Sequence, residues 1–551
     1  MKIGILIREF NQLENWELKI FDEIQKDPSL EIALLIKDGR TQSENPNTRP
    51  KRFIRFLKSG NVSGKLLFKI ITIIESKLFY KHKQTVNRND VIQRLSKIPV
   101  IELKPTRKGF LDIFTKEDAE KVGQYNLDII LRHQFHIIRG DILTAAKYGI
   151  WSFHHADNSI NRGSPAGFWE IVNKNPLVGV TLQQLTPELD GGLVIDKAFY
   201  SCFWSHIKNN QLILEKSYSL LMKNIKKLQQ GKYEPVKSKV YYNRLYKSPG
   251  LFTALKYAAG FYYNLLKRAC MAITARLGVR YDCWTLFIGS GNFYESVLYR
   301  LSPSEPPANS FWADPFLFNY KGEDYVFFED YSYKTGKAKI SCGKVVNNKV
   351  TEVREALKLS CHVSFPFIFE EDGQIYMMPE TGGNKRLEIY RCVEFPGKWE
   401  LYSTAFEGEL LTDAVYYKDD NGARWLFLSK AVGIEDDLCS ELEIYQIDSL
   451  KLNKITPHKL NPVIIDASRA RNAGAFFNYD SMLIRPSQNN SRGKYGYALN
   501  LNRVDILTLE DYRETPLVTV EPNFKKGLSG IHHMHQISGK FVCDAAYKYK
   551  M

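Results

Sequence analysis

Short apolar runs alternate with helix-spaced segments along the first part of the chain. Ile3–Ile7 and Ile32–Ile36 are almost wholly apolar runs, and Asp38-Gly39 closes the second. Between them, Asn15–Gln25 repeats its apolar residues at helical spacing. Two buried strands joined by a crossover helix start a doubly wound α/β sheet. Val100–Leu103 and Leu127–Leu131 continue the strands, with a short helix at Glu117–Gln124. Gln211–Gln229 reads as one amphipathic helix ending near Gly231. Leu251–Gly278 is apolar nearly all round, interrupted by Lys256, Lys267, Arg268 and Arg276. The first expectation for it is a helix buried between two domains. The alternative is an interfacial helix whose basic side chains reach lipid headgroups.

Beyond the Pro-rich stretch Ser302–Ala308 the pattern changes to short strands. Five similar segments recur: Trp312–Asp330, His362–Glu380, Leu411–Lys430, Ala470–Gln488 and Gly530–Tyr547. Each joins a polar cluster to an aromatic strand, a turn such as Glu371-Asp372-Gly373, and a second strand. Strand-dominated repeats of this length predict a five-bladed β-propeller, with Tyr281–Ile288 as a closing strand. The expected organisation is a Rossmann-like α/β domain over 1–235, a helical connector over 236–281 and an all-β propeller over 282–551.

Charge adds one feature. The net charge is +15, and between Arg49 and Lys97 thirteen Lys or Arg face two acids, Glu75 and Asp90. A basic insertion at about 45–98 favours nucleotide phosphates or acidic lipid headgroups, or is a solvated excursion. The eight cysteines form no CxxC pair and no metal-like spacing, so no metal is expected and reduced thiols in the cytoplasm fit. No apolar run reaches the roughly 18–20 residues of a membrane span. The expected location is cytoplasmic, with contact at the inner membrane face left open.

The chemistry concentrates in Gly149–Ile195. It reads Gly149-Ile150-Trp151-Ser152-Phe153-His154, then Arg162-Gly163, Gly179-Val180-Thr181 and Asp190-Gly191-Gly192. This stretch resembles the folate-dependent formyltransferases, whose pattern is Asn-x-His, Arg-Gly, Gly-Val-Thr and Asp-x-Gly, and it aligns without a gap. The resemblance implies 10-formyltetrahydrofolate as formyl donor. His154 would polarise the formyl oxygen and Asp190 would be its carboxylate partner. Gln134–Ile138 matches the loop lining the family's pterin pocket, so Gln134, Phe135 and His136 would bind the cofactor together with Asp190. Ser152 stands where the family has Asn, and a serine keeps a shorter donor for the oxyanion. Ser152, His154 and Asp190 are also the residue types of a hydrolytic triad, but no Gly-x-Ser-x-Gly elbow supports a nucleophilic serine.

In the second half, Phe311-Trp312-Ala313-Asp314-Pro315-Phe316, Met378-Pro379-Glu380-Thr381 and Arg485-Pro486-Ser487-Gln488 resemble the propeller-like domain of plant glucosamine inositolphosphorylceramide transferases. More remotely, they look like five-bladed glycoside hydrolases. Asp314, His362, Glu380, Asp413, Arg471, Arg485 and His533 are candidates to face the propeller axis. They would bind a sugar or phosphosugar, hold the blades together, or supply the carboxylates of glycoside hydrolysis through Asp314, Glu380 and Asp413. Together the two halves imply formyl transfer to an amino sugar, expected to be nucleotide-linked, in surface polysaccharide synthesis, with carbohydrate at the propeller. A glycan-transferring or glycan-cleaving propeller and a non-catalytic carbohydrate-binding protein are the alternatives. Nucleic acid is not an expected partner, since no tRNA-reading barrel follows. A homodimer is compatible with the sequence.

Overall fold

Alternation of strand and crossover builds the first unit of the chain. The computed structural model describes residues 1–40, 61–81, 86–188, 192–431, 433 and 437–550. Two compact units result, one within Met1–Leu265 and the other within Leu266–Val432 and Asp436–Met551. The strands of the first unit are β1 (Lys2–Ile7), β2 (Glu31–Asp38), β3 (Val100–Leu103), β4 (Thr106–Lys108), β5 (Leu111–Phe114), β6 (Ile129–Arg132), β7 (Ile137–Gly140), β8 (Ile150–His154), β9 (Leu177–Gln184), β10 (Leu193–Ser201) and β11 (Val236–Lys237). Eight of them form one sheet in the order β11-β10-β9-β8-β6-β1-β2-β3. β3, β2, β1, β6 and β8 are parallel, and β9, β10 and β11 add on antiparallel. Ile3, Ile5, Leu35, Ile129 and Ile130 are buried, as a parallel sheet covered on both faces requires. The strand order reverses beside β1. In open α/β sheets, ligands gather outside the carboxyl ends of strands at such a switch.

Two helix expectations need correction. The predicted helix Gln211–Gln229 is two helices, His206–Glu215 and Ser217–Gln229. Lys216 lies between them, buried, with its carbonyl taken by the Tyr200 hydroxyl at 3.3 Å. The helix Leu251–Arg276 is not a buried one. Ala254, Tyr257 and Phe261 are its buried residues, and much of the rest is exposed. Of the basic insertion, residues 45–60 and 82–85 lie outside the described residues. Val62–Phe79 and Arg88–Leu95 are helices.

The second unit is a five-bladed propeller. Four successive sheets of four main strands each cover Ser310–Leu357, Ser364–Ala405, Leu411–Pro457 and Phe477–Val520. The fifth sheet closes the ring: Arg280–Ser290, from the start of the unit, pairs antiparallel with Lys540–Lys550 from its end. On three blades the first strand carries the same distortion. Asp314, Phe365 and Asp413 have φ of 49°, 45° and 48°, and the register breaks at each. A bulge of this kind re-aims one side chain out of the alternation. On two blades the re-aimed residue is an aspartate, which is how Asp314 and Asp413 reach the interior.

Candidate functional site

In the first unit the site forms at the end of β8. Side chains two apart on a strand share a face, so Ser152 and His154 point to the same side. The loop after β8 is fixed by the sequence motifs themselves. Thr181 donates to the Ala156 carbonyl at 2.8 Å and accepts from the Asn158 amide at 3.2 Å. A Cβ on Gly179 would lie 2.7 Å from the Asp157 nitrogen, and one on Gly163 would lie 2.1 Å from the Tyr246 carbonyl oxygen. The glycines of Gly-Val-Thr and Arg-Gly are therefore close-approach positions. His154 Nε2 lies 2.7 Å from the Asn161 carbonyl, which makes Nε2 the protonated nitrogen of the neutral ring. The Asn161 side chain in turn donates to the buried Glu170 at 3.1 Å.

His154 lines two cavities. The first, about 130 Å³, is walled by Ile137, Ile138, Phe153 and Leu185, with Arg132, Arg139 and Glu188 also on it. The second, about 270 Å³, brings Asn158, Arg162 and Leu245 to His154. Ile137 and Gln183 belong to both. Burial lowers Arg132 to about 10, still a cation at neutral pH, and its Nη1 donates to the His136 carbonyl at 3.0 Å. Burial, followed by the neighbouring His154, pushes His155 down to about 3, so that ring stays neutral.

The predicted residues divide. Asp190 lies outside the described residues; Glu188 and Gly192, near it in sequence, line the smaller cavity. The Ser152 hydroxyl is buried and donates to the Phe153 carbonyl at 3.3 Å. The loop Gln134–Ile138, expected to bind the cofactor, presents its residues unevenly. Phe135 is buried in the apolar core, and Gln134, at φ 60°, accepts from the Arg8 amide at 3.0 Å. His136 is held through its amide by Asp112 at 3.0 Å. The residues of that loop at the cavity are Ile137, Ile138 and Arg139. Sequence reasoning missed Arg132, Asn158, Arg162 and Gln183. Arg132 carried a signal, as a charge closing an otherwise apolar parallel strand.

A second constellation forms inside the propeller. Asp413 pairs with Arg471 through Nη2 at 3.2 Å and accepts from Gln488 at 2.8 Å. Arg471 also approaches Glu380 at 3.6 Å, and Thr412 donates to both carboxylates. Burial, and then the Asp413 carboxylate, pushes Glu380 up to about 7. Nearby, His532 bridges Asp544 at 2.8 Å and Asp314 at 3.3 Å. Burial works to lower His532, but these two carboxylates win and raise it to about 9. One ligand-type atom from each of Asp314, His532 and Asp544 lies within 4.8 Å of the others. The three side chains form a buried cluster of charges centred on His532. His362 lies apart from these contacts and pairs with Glu329 at 3.3 Å.

Two propeller expectations are corrected. Arg485 is fully buried, bidentate to Glu514 at 2.7 and 2.9 Å, and donates to the Arg469 carbonyl at 2.6 Å. Its donors are taken by Glu514 of the same blade and by the segment just before that blade. His533 packs its ring against Phe316 and Phe365, and burial drives it well below the ordinary histidine range. Its neighbour His532 is the one that enters the charge cluster.

Residues 298–539 match the family model described as glucosamine inositolphosphorylceramide transferase 1, N-terminal. The protein of that name from Oryza sativa subsp. japonica is 35% identical over 261 residues, 46% of this chain and 34% of the relative. The one from Arabidopsis thaliana is 35% identical over 249 residues, 43% of this chain and 32% of the relative. The chain thus spans about a third of the length of the curated relatives it matches. Among solved structures, glycinamide ribonucleotide transformylase 1 from Symbiobacterium toebii overlaps 42% of this chain and 88% of its own, at 15% identity and a TM-score of 0.28. A thermostable family-43 glycoside hydrolase overlaps 44% of this chain and 89% of its own, at 12% identity and a TM-score of 0.33.

Proposed function

We propose that the chain transfers a formyl group from 10-formyltetrahydrofolate to the amine of a nucleotide-linked amino sugar, in surface polysaccharide synthesis. The observation that carries this reading is the position of His154 where two cavities meet. Group transfer needs one catalytic group in reach of both donor and acceptor. The smaller cavity, walled by Ile137, Ile138, Phe153 and Leu185, suits a flat pterin, and Arg132 and Arg139 suit an anionic tail. The larger carries Asn158, Arg162 and Gln183, which suit sugar hydroxyls and phosphate. The folate, when bound, supplies an activated formyl carbon. The bond to Asn161 fixes the His154 ring and makes Nδ1 its basic nitrogen. In this reading Nδ1 would take the proton that the attacking amine must lose, stabilise the carbonyl oxygen as imidazolium, and return the proton to folate N10 as the formyl carbon–N10 bond breaks and tetrahydrofolate leaves. Asp190 is the carboxylate that favours the charged ring. The relatives' name, with its glucosamine and its transferase, supports an amino-sugar acceptor.

A second reading has its own observation. Asp314, Glu380 and Asp413 share the propeller interior, and Glu380, raised to about 7, is a protonated acid near neutrality. That is the condition for a general acid in glycosyl transfer or cleavage. One panel separates the two. Purified protein is given formyl donor and a range of nucleotide-linked amino sugars, and formyl-sugar product is followed for the parent, His154→Ala and Glu380→Gln. Formyl transfer predicts a loss of at least about a hundredfold in His154→Ala and near-parent rates in Glu380→Gln. No turnover by the parent, or equal rates in parent and His154→Ala, sinks the formyltransferase reading.

A further inference from the structure

In the first unit, the helix Val62–Phe79 packs beside the N-terminal part of the helix Leu251–Arg276, and both turn apolar side chains outward. Val62–Phe79 and the start of Leu251–Arg276 meet through Tyr257, whose hydroxyl donates to Glu75, and through the ring contacts Phe68–Tyr257 and Phe79–Phe261. At their N-termini, Gly64 allows the approach of Gly250 and Leu251, since a Cβ there would lie 2.6 Å from both backbones. These contacts use the inner faces. The outer faces are apolar as well. Leu66, Ile70 and Ile73 follow i, i+4, i+7 spacing and are about half exposed. On the neighbouring helix Phe252, Leu255, Tyr262 and Tyr263 form one stripe, with Phe252 87% and Tyr263 66% exposed. The stripe continues through Leu266 and Ile273.

Charge names the occupant. Val62–Phe79 holds Lys65, Lys69 and Lys77, and its one acid, Glu75, is fully buried. Leu251–Arg276 holds Lys256, Lys267, Arg268 and Arg276 and no acid at all. Lys65, Lys69, Lys77 and Lys256 make no ion pair with a carboxylate among the described residues. An apolar stripe with aromatic residues, rimmed by cations and free of exposed acids, is the composition of a helix that lies in an anionic bilayer surface. No helix among the described residues is long and apolar enough to cross a membrane, so the contact is with the surface. We propose that these paired helices dock the protein on an anionic lipid bilayer. The aromatic and aliphatic side chains enter the headgroup region, and the lysines reach the phosphates.

The test is flotation of the full chain with vesicles of phosphatidylcholine alone or mixed with phosphatidylglycerol. The parent should float with the mixed vesicles, less so as salt rises, and weakly with phosphatidylcholine alone. The triple change Phe252→Ser, Leu255→Ser, Tyr263→Ser should lower partitioning by about tenfold or more. So should Lys65→Gln, Lys69→Gln, Lys256→Gln. The second triple alters exposed charge and no packed apolar group, so it keeps the test sound if the first fails to fold. Sedimentation velocity without lipid checks for a second copy as occupant. Failure of the parent to float, unchanged partitioning of the charge triple, or a lipid-free dimer dissolved by the apolar triple would each overturn the proposal.

Discussion

At the scale of single residues, the clearest separation is between Arg471 and Arg485. Both arginines lie in the propeller and both pair with acids, yet their surroundings assign them different work. Arg471 stands among Asp413, Glu380 and the Tyr495 ring, groups that belong to different blades. Arg485 is fully enclosed, its guanidinium matched by Glu514 of its own blade and by the carbonyls of Arg469 and Ala470 just before it. Removing one member of a buried pair strands the other charge. Glu514→Gln should therefore cost about 3–5 kcal/mol, read as a lowered urea midpoint at unchanged slope. An apolar pair, Arg485→Met with Glu514→Leu, should recover much of that loss. Equal midpoints for the parent and Glu514→Gln would remove the structural assignment of Arg485.

At the scale of elements, the loop between β8 and the Arg162-Gly163 turn determines where His154 points. Its hold is the hydroxyl of Thr181, which serves a carbonyl and an amide of that loop at once. Thr181→Val keeps the shape and removes both bonds, leaving two buried backbone groups without partners. The expected cost is about 1–3 kcal/mol, seen in thermal unfolding; on the proposed formyl transfer, turnover should fall as well, as His154 loses its fixed position. Serine at the same place should restore most of both. If the valine variant is as stable and as active as the parent, the loop is held by something else. The helix Leu251–Arg276 could be read two ways for a physical reason. An all-round apolar helix reads as buried whether protein or lipid covers it, because periodicity reports the absence of a polar face and not the covering partner.

For the whole molecule, buried histidines set the pH range of stability. Burial lowers His206 and His535 to about 4 and His155 to about 3, all below the ordinary 6.5. An unfolded chain binds protons at these rings before the folded one does. Their contribution is present above pH 6.5 and is lost as pH falls through 4. His532 has the opposite sign. With its folded value raised to about 9, its contribution is complete below 6.5 and is lost as pH rises through 9. Stability should therefore peak near neutrality and fall on both sides. His532→Gln should flatten the alkaline limb and leave the acid limb in place, as measured by urea unfolding across pH. An unchanged alkaline limb in that variant would show that His532 is not held charged.

By itself the sequence determined the elements and their class. Apolar runs and helical spacing were enough for the α/β start, because a buried parallel strand and its crossover helix are local patterns. Five strand repeats and a closing strand were enough for the propeller, because four of its blades are local units and the fifth needs only one strand from the start of the unit. The motif from Gly149 to Ile195 was also legible, since Gly163, Gly179 and Thr181 serve contacts that few other residues can make. What each polar side chain faces was decided by the tertiary structure. His532 and His533 are neighbours in sequence, yet one enters an ion cluster and the other an aromatic core. Ser152 is buried in its sheet, and Phe135 enters the core while Ile137 and Arg139 reach the cavity. The physical reason is common to all of these: burial and charge pairing depend on neighbours that are distant in the chain. Local periodicity carries no record of them.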